Sequence, residues 1–421
     1  MSPETPETEA PTFATAARFW FQLGFVSFGG PAGQIAILHR EVVDRRRWVD
    51  ERTFTGALDF CMLLPGPEAL QLAIFLGWKL HGVRGGLTAG LGFILPAVVL
   101  LFALATVYVL YGRMPWLAGV LLGLKAAVVA LVAQALVRIG RRALRGPLKV
   151  ALAVGAFVAL EFLDVPFPLV LLVAALAGAL TAASQAPGTP APRVEASSRG
   201  YAWRVAAVGL ALWALPLAVL LAAAGPRALW TGVYLFFTKA ALVTFGGAYA
   251  VLSYVTAQLV DHLGWVTAEQ SVAGLALAET TPGPLVIVLQ FMGFVAGWNQ
   301  PGGLDPLVAA LLAGALAAWA TFLPSFVFIF LGAPWVERLT QRPRISAALG
   351  AVTAAVVGVI ATLALLLARV VLFPEGLAAG PDWLALALCL GAAFALERLQ
   401  WPLPAVLGVA AALGLALRGF G

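Results

Sequence analysis

Five ionisable side chains lie inside long apolar stretches of this sequence, where a charge is costly and usually has a function. They are the lysines Lys125 and Lys239 and the carboxylates Asp59, Glu68 and Glu279. Lysines in such positions can act as counter-charges for an anion, and carboxylates can carry protons across a membrane. In the alternative interpretation, either lysine forms a buried structural ion pair with Glu68 or Glu279. The residue types leave both interpretations open.

Two helix-breaking motifs occur in the same apolar stretches as four of these charges, Lys125 being the exception, and each motif occurs twice. Phe28-Gly29-Gly30-Pro31 is matched by Phe245-Gly246-Gly247, and Pro65-Gly66-Pro67 is matched by Pro282-Gly283-Pro284. Proline interrupts a helix because it lacks an amide donor and clashes with the preceding turn, so a new helix is expected after each motif. The N-terminal end of a helix carries unpaired N–H groups and about half a positive charge. Four such ends predict a site for an anion.

The residues expected to contact the anion belong to the four motifs, to the hydroxyls beside them and to the two lysines. They are Ser27, Phe28, Gly29, Gly30, Pro31, Pro65, Gly66, Pro67, Lys125, Lys239, Thr244, Phe245, Gly246, Gly247, Thr281, Pro282, Gly283 and Pro284. A hydroxyl in a helix more often bonds to a carbonyl one turn back. Ser27, Thr244, Thr281 and the neighbouring Thr280 each have this simpler explanation.

The composition assigns the protein to a membrane. Of its 421 residues, 62% are hydrophobic and 11% are charged, and the mean hydropathy is +0.95. Soluble domains carry roughly 25% charged residues, so soluble enzymes and nucleic-acid-binding domains are excluded. The net charge of +6 fits basic cytoplasmic loops rather than a nucleic-acid partner. The two cysteines, Cys61 and Cys389, lie in apolar runs and fit packed thiols better than a disulfide.

The motif pairs belong to a duplicated unit. Residues 29 and 246, 48 and 265, and 66 and 283 are each 217 positions apart, and the later pair 96 and 324 is 228 apart. Matches in the same order with slowly growing separation indicate an internal repeat. The predicted parts are a disordered tail (1–12), a first repeat (13–183), a cytoplasmic linker (184–202), a connecting transmembrane helix (203–224) and a second repeat (231–421).

Loop charges predict that the second repeat is inverted. The loops 40–52 and 138–149 each carry five Lys or Arg residues, whereas their counterparts 258–270 and 372–382 carry none. The bias reverses again at 112–116, which has one arginine against three at its counterpart. Because Lys and Arg concentrate in cytoplasmic loops, the two halves have opposite orientations, as in many secondary transporters. The N-terminus is predicted to be cytoplasmic.

Parity of the crossings predicts re-entrant hairpins. If 40–52 and 138–149 are both cytoplasmic, one of the three apolar segments between them does not span the membrane. The broken segment 53–82 is the best candidate, as half-helices 53–64 and 68–80. The same argument makes 13–39 and 231–257 hairpins that are broken at the glycine pairs. The alternative is that these segments are ordinary spans with glycine packing notches.

The Phe-Gly-Gly-Pro and Pro-Gly-Pro motifs, their second copies and the basic loop that ends at Trp48 resemble the chromate ion transporter (CHR) family in its long-chain, two-domain form. The resemblance covers essentially the whole chain. It implies a bacterial inner-membrane transporter that expels chromate and confers chromate resistance, with sulfate as a competing analogue. Two positions depart from a symmetric pattern, since Ala248 stands opposite Pro31 and Leu285 stands opposite Glu68. The two halves are therefore not expected to contribute equally to one site.

The function expected is secondary transport of a tetrahedral oxyanion, with chromate efflux first and sulfate or another oxyanion second. A passive anion channel is the main alternative, because half-helices also build pores. A membrane-embedded enzyme is the weakest hypothesis, because the sequence offers no clustered catalytic residues and no metal-ligand spacing. No cofactor and no metal are expected. The expected partners are the oxyanion and the lipid bilayer, with protons as a coupling ion and a homodimer both left open.

Overall fold

The computed structural model describes residues 11–181, 197–245, 247–335 and 343–418, and every regular element in these ranges is helical. Three expectations fall wholly or partly outside them. The tail 1–12 is described only at residues 11 and 12, the linker 184–202 only from residue 197, and Gly246 is not described. The predicted disorder of the tail therefore stays a prediction.

The first half contains seven helices within the described residues. They are α1 (Phe13–Val26), α2 (Gly30–His39), α3 (Glu51–Cys61), α4 (Glu68–Tyr111), α5 (Pro115–Ala143), α6 (Pro147–Phe162) and α7 (Phe167–Thr181). A π-helical turn, Arg40–Arg45, extends α2. Helix α4 has two arms, because His81 and Gly82 take non-helical backbone angles and separate 68–80 from 83–111.

The connecting helix α8 and the second half follow the same plan. The helices are α8 (Ser197–Ala223), α9 (Leu229–Leu242), α10 (Ala248–Ala257), α11 (Ala268–Glu279), α12 (Val288–Asn299), α13 (Pro306–Gly332), α14 (Pro343–Leu372), α15 (Trp383–Glu397) and α16 (Leu403–Arg418). A π-helical turn, Gln258–His262, extends α10 as its counterpart extends α2. A 3-10 turn, Leu285–Ile287, leads into α12.

The chain breaks where the motifs predict a break and then turns back. Between α1 and α2 the break falls at 27–29, and the ring of Phe19 in α1 lies 5.1 Å from the ring of Trp48 beyond α2. The His81 imidazole, at the end of the first arm of α4, bonds to the Pro11 carbonyl oxygen at 2.8 Å. Both hairpins of the first half thus begin and end at one end of the bundle.

The two hairpins of the second half also begin and end close together. The ring of Trp265, between α10 and α11, lies 6.1 Å from that of Phe236 in α9. The Asn299 amide, at the end of α12, donates to the Trp265 carbonyl oxygen at 3.0 Å. The segments 231–257 and 268–299 are therefore hairpins, not single spans.

Helix α8 joins the two ends and inverts the second half. Its 27 residues rise about 40 Å at 1.5 Å per residue, enough to cross a bilayer. Near its start, the Tyr201 hydroxyl accepts a hydrogen bond from the Trp78 indole at 3.2 Å, close to the hairpin ends of the first half. The fold is thus an all-α membrane protein built from two homologous, inverted halves with half-helix hairpins.

The outer surface fits a lipid environment. In the part of the chain that the structure describes, five helices are long and apolar enough to cross a membrane, including Pro115–Ala143, Gly200–Ala223 and Pro306–Gly332. Many outward side chains are large, apolar and exposed, among them Leu215, 66% exposed, and Val99, also 66% exposed. Such a surface is stable in hydrocarbon and unstable in water. Cys61 and Cys389 are both buried and free of disulfides.

Candidate functional site

The four helix breaks meet across the two halves in a reciprocal arrangement. The Gly66 N–H donates to the Thr244 carbonyl oxygen at 2.8 Å, and the Gly283 N–H donates to the Ser27 carbonyl oxygen at 2.8 Å. Gly66 and Gly283 are repeat counterparts, and so are Ser27 and Thr244. Each Pro-Gly-Pro turn of one half therefore satisfies a carbonyl at the glycine break of the other half.

Two glutamines brace the breaks from within. The buried Gln34 amide donates to the Ser27 carbonyl oxygen at 3.2 Å and also to that of Gly283. The buried Gln71 amide donates to the Pro65 carbonyl oxygen at 2.7 Å. Backbone polar groups inside a membrane need such partners, so these side chains stabilise the non-helical segments.

The hydroxyls beside the breaks have the simpler role. Ser27 donates to the Leu23 carbonyl oxygen and Thr244 to that of Ala240, each at 2.6 Å. The remaining two, Thr280 and Thr281, both donate to the Leu277 carbonyl oxygen. All four hydroxyl groups therefore donate to carbonyl oxygens of the helix that precedes the break. To donate to an anion instead, a hydroxyl would have to give up this hydrogen bond.

The N-terminal ends of four helices converge as predicted. A small void is lined at once by Pro31 at the start of α2, Glu68 at the start of α4, Ala248 at the start of α10 and Leu285 at the turn that leads into α12. None of these four starts has a side-chain cap. Uncapped helix starts carry partial positive charge, so their meeting at this junction favours negative charge there.

A cavity of about 890 Å³ opens beside this junction. It is lined by Gly29, Gly30 and Pro31 from the first half, by Phe245 and Gly247 from the second half, and by all three predicted carboxylates, Asp59, Glu68 and Glu279. The cavity is large enough for a hydrated oxyanion, and residues of both halves line it. Apart from the two lysines, the other described residues that were expected to contact the anion do not line it. They are Ser27, Phe28, Pro65, Gly66, Pro67, Thr244, Thr281, Pro282, Gly283 and Pro284.

Two arginines that the sequence analysis assigned to a loop line the same cavity. Arg138 and Arg142 lie within α5 and not after it, and Gln134 lies one turn before Arg138. The spacing i, i+4, i+8 puts these three on one helix face, a signal that the sequence contained. Along that face Arg138 and Arg142 are exposed, Gln134 is half-buried and Leu131 is buried. The two arginines therefore lie at the exposed mouth of the cavity, and Leu131 lies deeper.

The basic wall has no counterpart in the second half. At the separation of 228 positions, Leu366 stands opposite Arg138 and Val370 stands opposite Arg142. Among the described residues, α5 supplies the cations of the cavity, and α14 supplies apolar and small residues such as Val352 and Gly350.

Glu279 lies at the buried part of the cavity. It is 5% exposed, and its Oε1 accepts a hydrogen bond from the Tyr249 hydroxyl at 2.8 Å. Tyr249 is in the first turn of α10, so this bond joins the two second-half hairpins. Asp59, by contrast, is exposed and lies on the wall that α3 provides.

Neither predicted lysine lines this cavity. Lys125 Nζ bonds to Glu269 Oε1 at 2.7 Å, which links α5 to the start of α11. Lys239 is exposed on α9, away from the cavity wall. The sequence could not reveal the Lys125 partner, because Glu269 lies 144 positions away. Within the described residues, the cations that line the cavity are Arg138 and Arg142 instead.

A sequence model of the chromate transporter family matches residues 14–179 and 231–415, one match in each half. The chromate transport protein of Pseudomonas aeruginosa is 36% identical over 359 residues, which cover 84% of this chain and 80% of that protein. The chromate transport protein of Cupriavidus metallidurans is 28% identical, and the probable chromate transport protein of Synechococcus elongatus is 30% identical, over 87% and 84% of this chain. These matches cover 88% and 84% of the relatives. No solved structure gives a significant match. With both repeats matched and these relatives aligned over most of their length, the chain belongs to the chromate transporter family.

Proposed function

We propose that the protein is a secondary transporter that moves chromate out of the cell and loads it in the cavity between the two halves. The observation that carries the proposal is the meeting of Arg138 and Arg142 with the glycine breaks of both halves around one cavity. A dianion gains from the guanidinium groups at the mouth and from the free N–H groups at the floor. Alternating access in inverted-repeat transporters centres on such an interface.

The position of the cavity supports efflux. The end of α5 that lines it leads directly into the basic segment 138–149, which is predicted to be cytoplasmic. A cavity open to that side accepts its substrate from the cytoplasm, which is the loading step of an exporter. The proposal places the protein in the bacterial inner membrane with a cytoplasmic N-terminus.

The carboxylates of the cavity support coupling to protons. Asp59, Glu68 and Glu279 face the same space as the two arginines, and three negative charges there would repel a dianion. Neutralising one of them by a proton removes part of this repulsion. Backbone N–H groups and guanidinium groups do not distinguish tetrahedral dianions of similar size strongly, so sulfate is proposed as a competing ligand.

Flux into inside-out membrane vesicles tests the proposal. With the medium outside the vesicles more acidic than their lumen, wild-type protein should accumulate chromate above the external concentration, because the proton that neutralises a carboxylate enters with the dianion. Excess sulfate should slow this uptake. A protonophore should abolish the accumulation. Arg138→Gln removes one of the two cations that line the cavity. Its matched control is Arg141→Gln, because Arg141 lies on the same helix, is exposed and does not line the cavity. Equilibration without accumulation would favour a passive channel instead.

A further inference from the structure

Glu68 occupies an unusual position among the carboxylates of the cavity. It is the first residue of α4, and Pro67 before it provides no side-chain cap. It lines both the small void at the four helix starts and the large cavity. Within the described ranges its carboxylate has no hydrogen bond and no ion pair, whereas Glu279 is held by Tyr249. Glu68 is therefore a partner-free carboxylate at a junction that favours negative charge.

The fold does not require an acid at this position. The repeat counterpart of Glu68 is Leu285, and the second-half break has the same form with leucine there. Gly283 takes a positive φ of 110° as Gly66 takes one of 128°, and both bond across to the opposite half. The carboxylate of Glu68 is thus additional to the architecture of the break.

A carboxylate here meets the same donors that an oxyanion needs. The uncapped starts of α2, α4 and α10 line the large cavity together with Glu68, and with the turn before α12 they also line the small void. Two anions cannot use these donors together, because their mutual repulsion adds to the loss of shared hydrogen bonds. We infer that Glu68 is a tethered anion that occupies the oxyanion site and yields it when it takes up a proton. This inference rests on the proposed function.

Other charged or titratable groups face the same space from several elements. They are Asp59 of α3, Arg138 and Arg142 of α5, Tyr249 of α10 and Glu279 of α11. The buried thiol of Cys61 in α3 is also near Glu68 but lines neither void. The parts of α2 and of the α12 entry that line the two voids carry no titratable side chain. Asp59 lies on the exposed wall and the Oε1 of Glu279 is engaged by Tyr249. Among the described carboxylates, Glu68 alone lines the junction of the helix starts.

Competition between the carboxylate and the ligand makes binding of the proton and of the oxyanion mutually favourable. In the pH range where Glu68 gains its proton, the affinity for a dianion should rise by up to about tenfold for each unit that the pH falls. Glutamine cannot ionise, so Glu68→Gln should bind tightly at every pH. Glu68→Leu copies the second-half residue, Leu285, and should bind without pH dependence as well.

The experiment measures chromate affinity by calorimetry on purified full-length protein between about pH 5 and pH 8. Affinity is expressed per concentration of the dianion, because chromate itself takes up a proton in this range. Sulfate, which stays a dianion, is titrated in parallel. Wild type should lose affinity as the pH rises, and Glu68→Gln and Glu68→Leu should keep the tight binding that wild type shows at low pH. Glu269→Gln, a change of an exposed carboxylate outside the cavity, should keep the wild-type slope.

Any of three results would overturn the inference. The first is that the chromate affinity of Glu68→Gln depends on pH as that of wild type does. The second is that Glu279→Gln or Asp59→Asn, rather than Glu68→Gln, removes this pH dependence. The third is that both Glu68 variants stay folded but bind no chromate at any pH. Folding is judged by gel filtration and by thermal unfolding without ligand. If wild type binds chromate at no pH, the proposed function fails first and the inference fails with it. If wild type binds chromate but the Glu68 variants behave as wild type, only the inference fails.

Discussion

The N–H of Gly66 donates to the carbonyl oxygen of Thr244 across the boundary between the two halves, at 2.8 Å. Gly283 and Ser27, their repeat counterparts, make the same bond in the opposite direction at the same distance. Each half therefore completes the broken helices of the other. A movement that changes access to the cavity has to keep or exchange these two bonds, since an unsatisfied backbone group in the membrane costs several kcal/mol.

The first prediction concerns bulk at these turns. Gly66 has a φ of 128°, and a Cβ there would lie 2.6 Å from Gln71 Nε2 and 2.7 Å from Ser325 Oγ. Gly66→Val should abolish chromate flux, because it combines backbone strain with a clash at the junction. Gly29→Val, at a φ of 92°, should do the same. Flux in vesicles, normalised to inserted protein, is the measurement.

Gly155→Val is the matched control for these two variants. Gly155 lies in α6 without a positive φ, and a Cβ added to it would point into open space, with no neighbouring atom within 4 Å. Its replacement should leave flux near the wild-type level. Normal flux in Gly66→Val would show that the turn tolerates a side chain and that the reciprocal bond is not needed.

Much of this architecture is predictable because its causes are local. Proline and glycine at 65–67 and 282–284 interrupt a helix whatever its surroundings. The arginines at 40–52 predict which side of the membrane this loop faces, because Lys and Arg concentrate in cytoplasmic loops. The four helix starts follow from these signals. Sequence could not predict which side chains share the cavity, because that depends on packing between distant helices. Lys125 pairs with Glu269, 144 positions away, and Arg138 reaches the cavity only because α5 continues to Ala143.

The second prediction separates a structural lysine from a binding one. Lys125 is 12% exposed and Glu269 is 72% exposed, so their ion pair should contribute only about 0–1 kcal/mol to stability. Lys125→Gln should lower the unfolding temperature slightly and leave the chromate-induced stabilisation unchanged. Lys239→Gln should change neither quantity by much. If either variant lost the chromate-induced rise in unfolding temperature, that lysine would have to be counted among the residues that bind the anion.

The third prediction concerns topology. Arg46 lies beyond the first hairpin and His262 beyond its inverted counterpart, and both residues are exposed. In a background without Cys61 and Cys389, an impermeant thiol reagent added outside intact cells should modify His262→Cys and not Arg46→Cys. Reagent added to inside-out vesicles should give the reverse pattern. Equal labelling at both positions from one side would contradict the inverted repeat.

The fourth prediction uses pH at the loop that precedes α3. The Thr53 backbone N–H donates to Asp50 Oδ1 at 2.8 Å, and this bond holds the pKa of Asp50 below its usual range. A lowered pKa means that the ionised cap stabilises the fold above the unfolded-state value near pH 4 and that this stabilisation is lost as the pH falls through the folded-state value. Asp50→Ala should therefore cost about 1 kcal/mol at neutral pH. The difference from wild type, measured by thermal unfolding, should shrink in acid, and a constant difference would contradict the charged cap.

The fifth prediction tests whether the arginines of α5 that line the cavity bind the anion. Arg138 faces the cavity from α5, and its repeat counterpart, Leu366, offers no replacement charge. Removing one guanidinium from a dianion site should cost about 1.5 kcal/mol, or roughly tenfold in affinity. Arg138→Gln should show this loss in chromate affinity, whereas Arg138→Lys keeps the charge and should lose less. Arg141→Gln, on the same helix but outside the cavity, should bind as wild type. If Arg138→Gln and Arg141→Gln bind equally well, the helix starts carry the anion without help from α5.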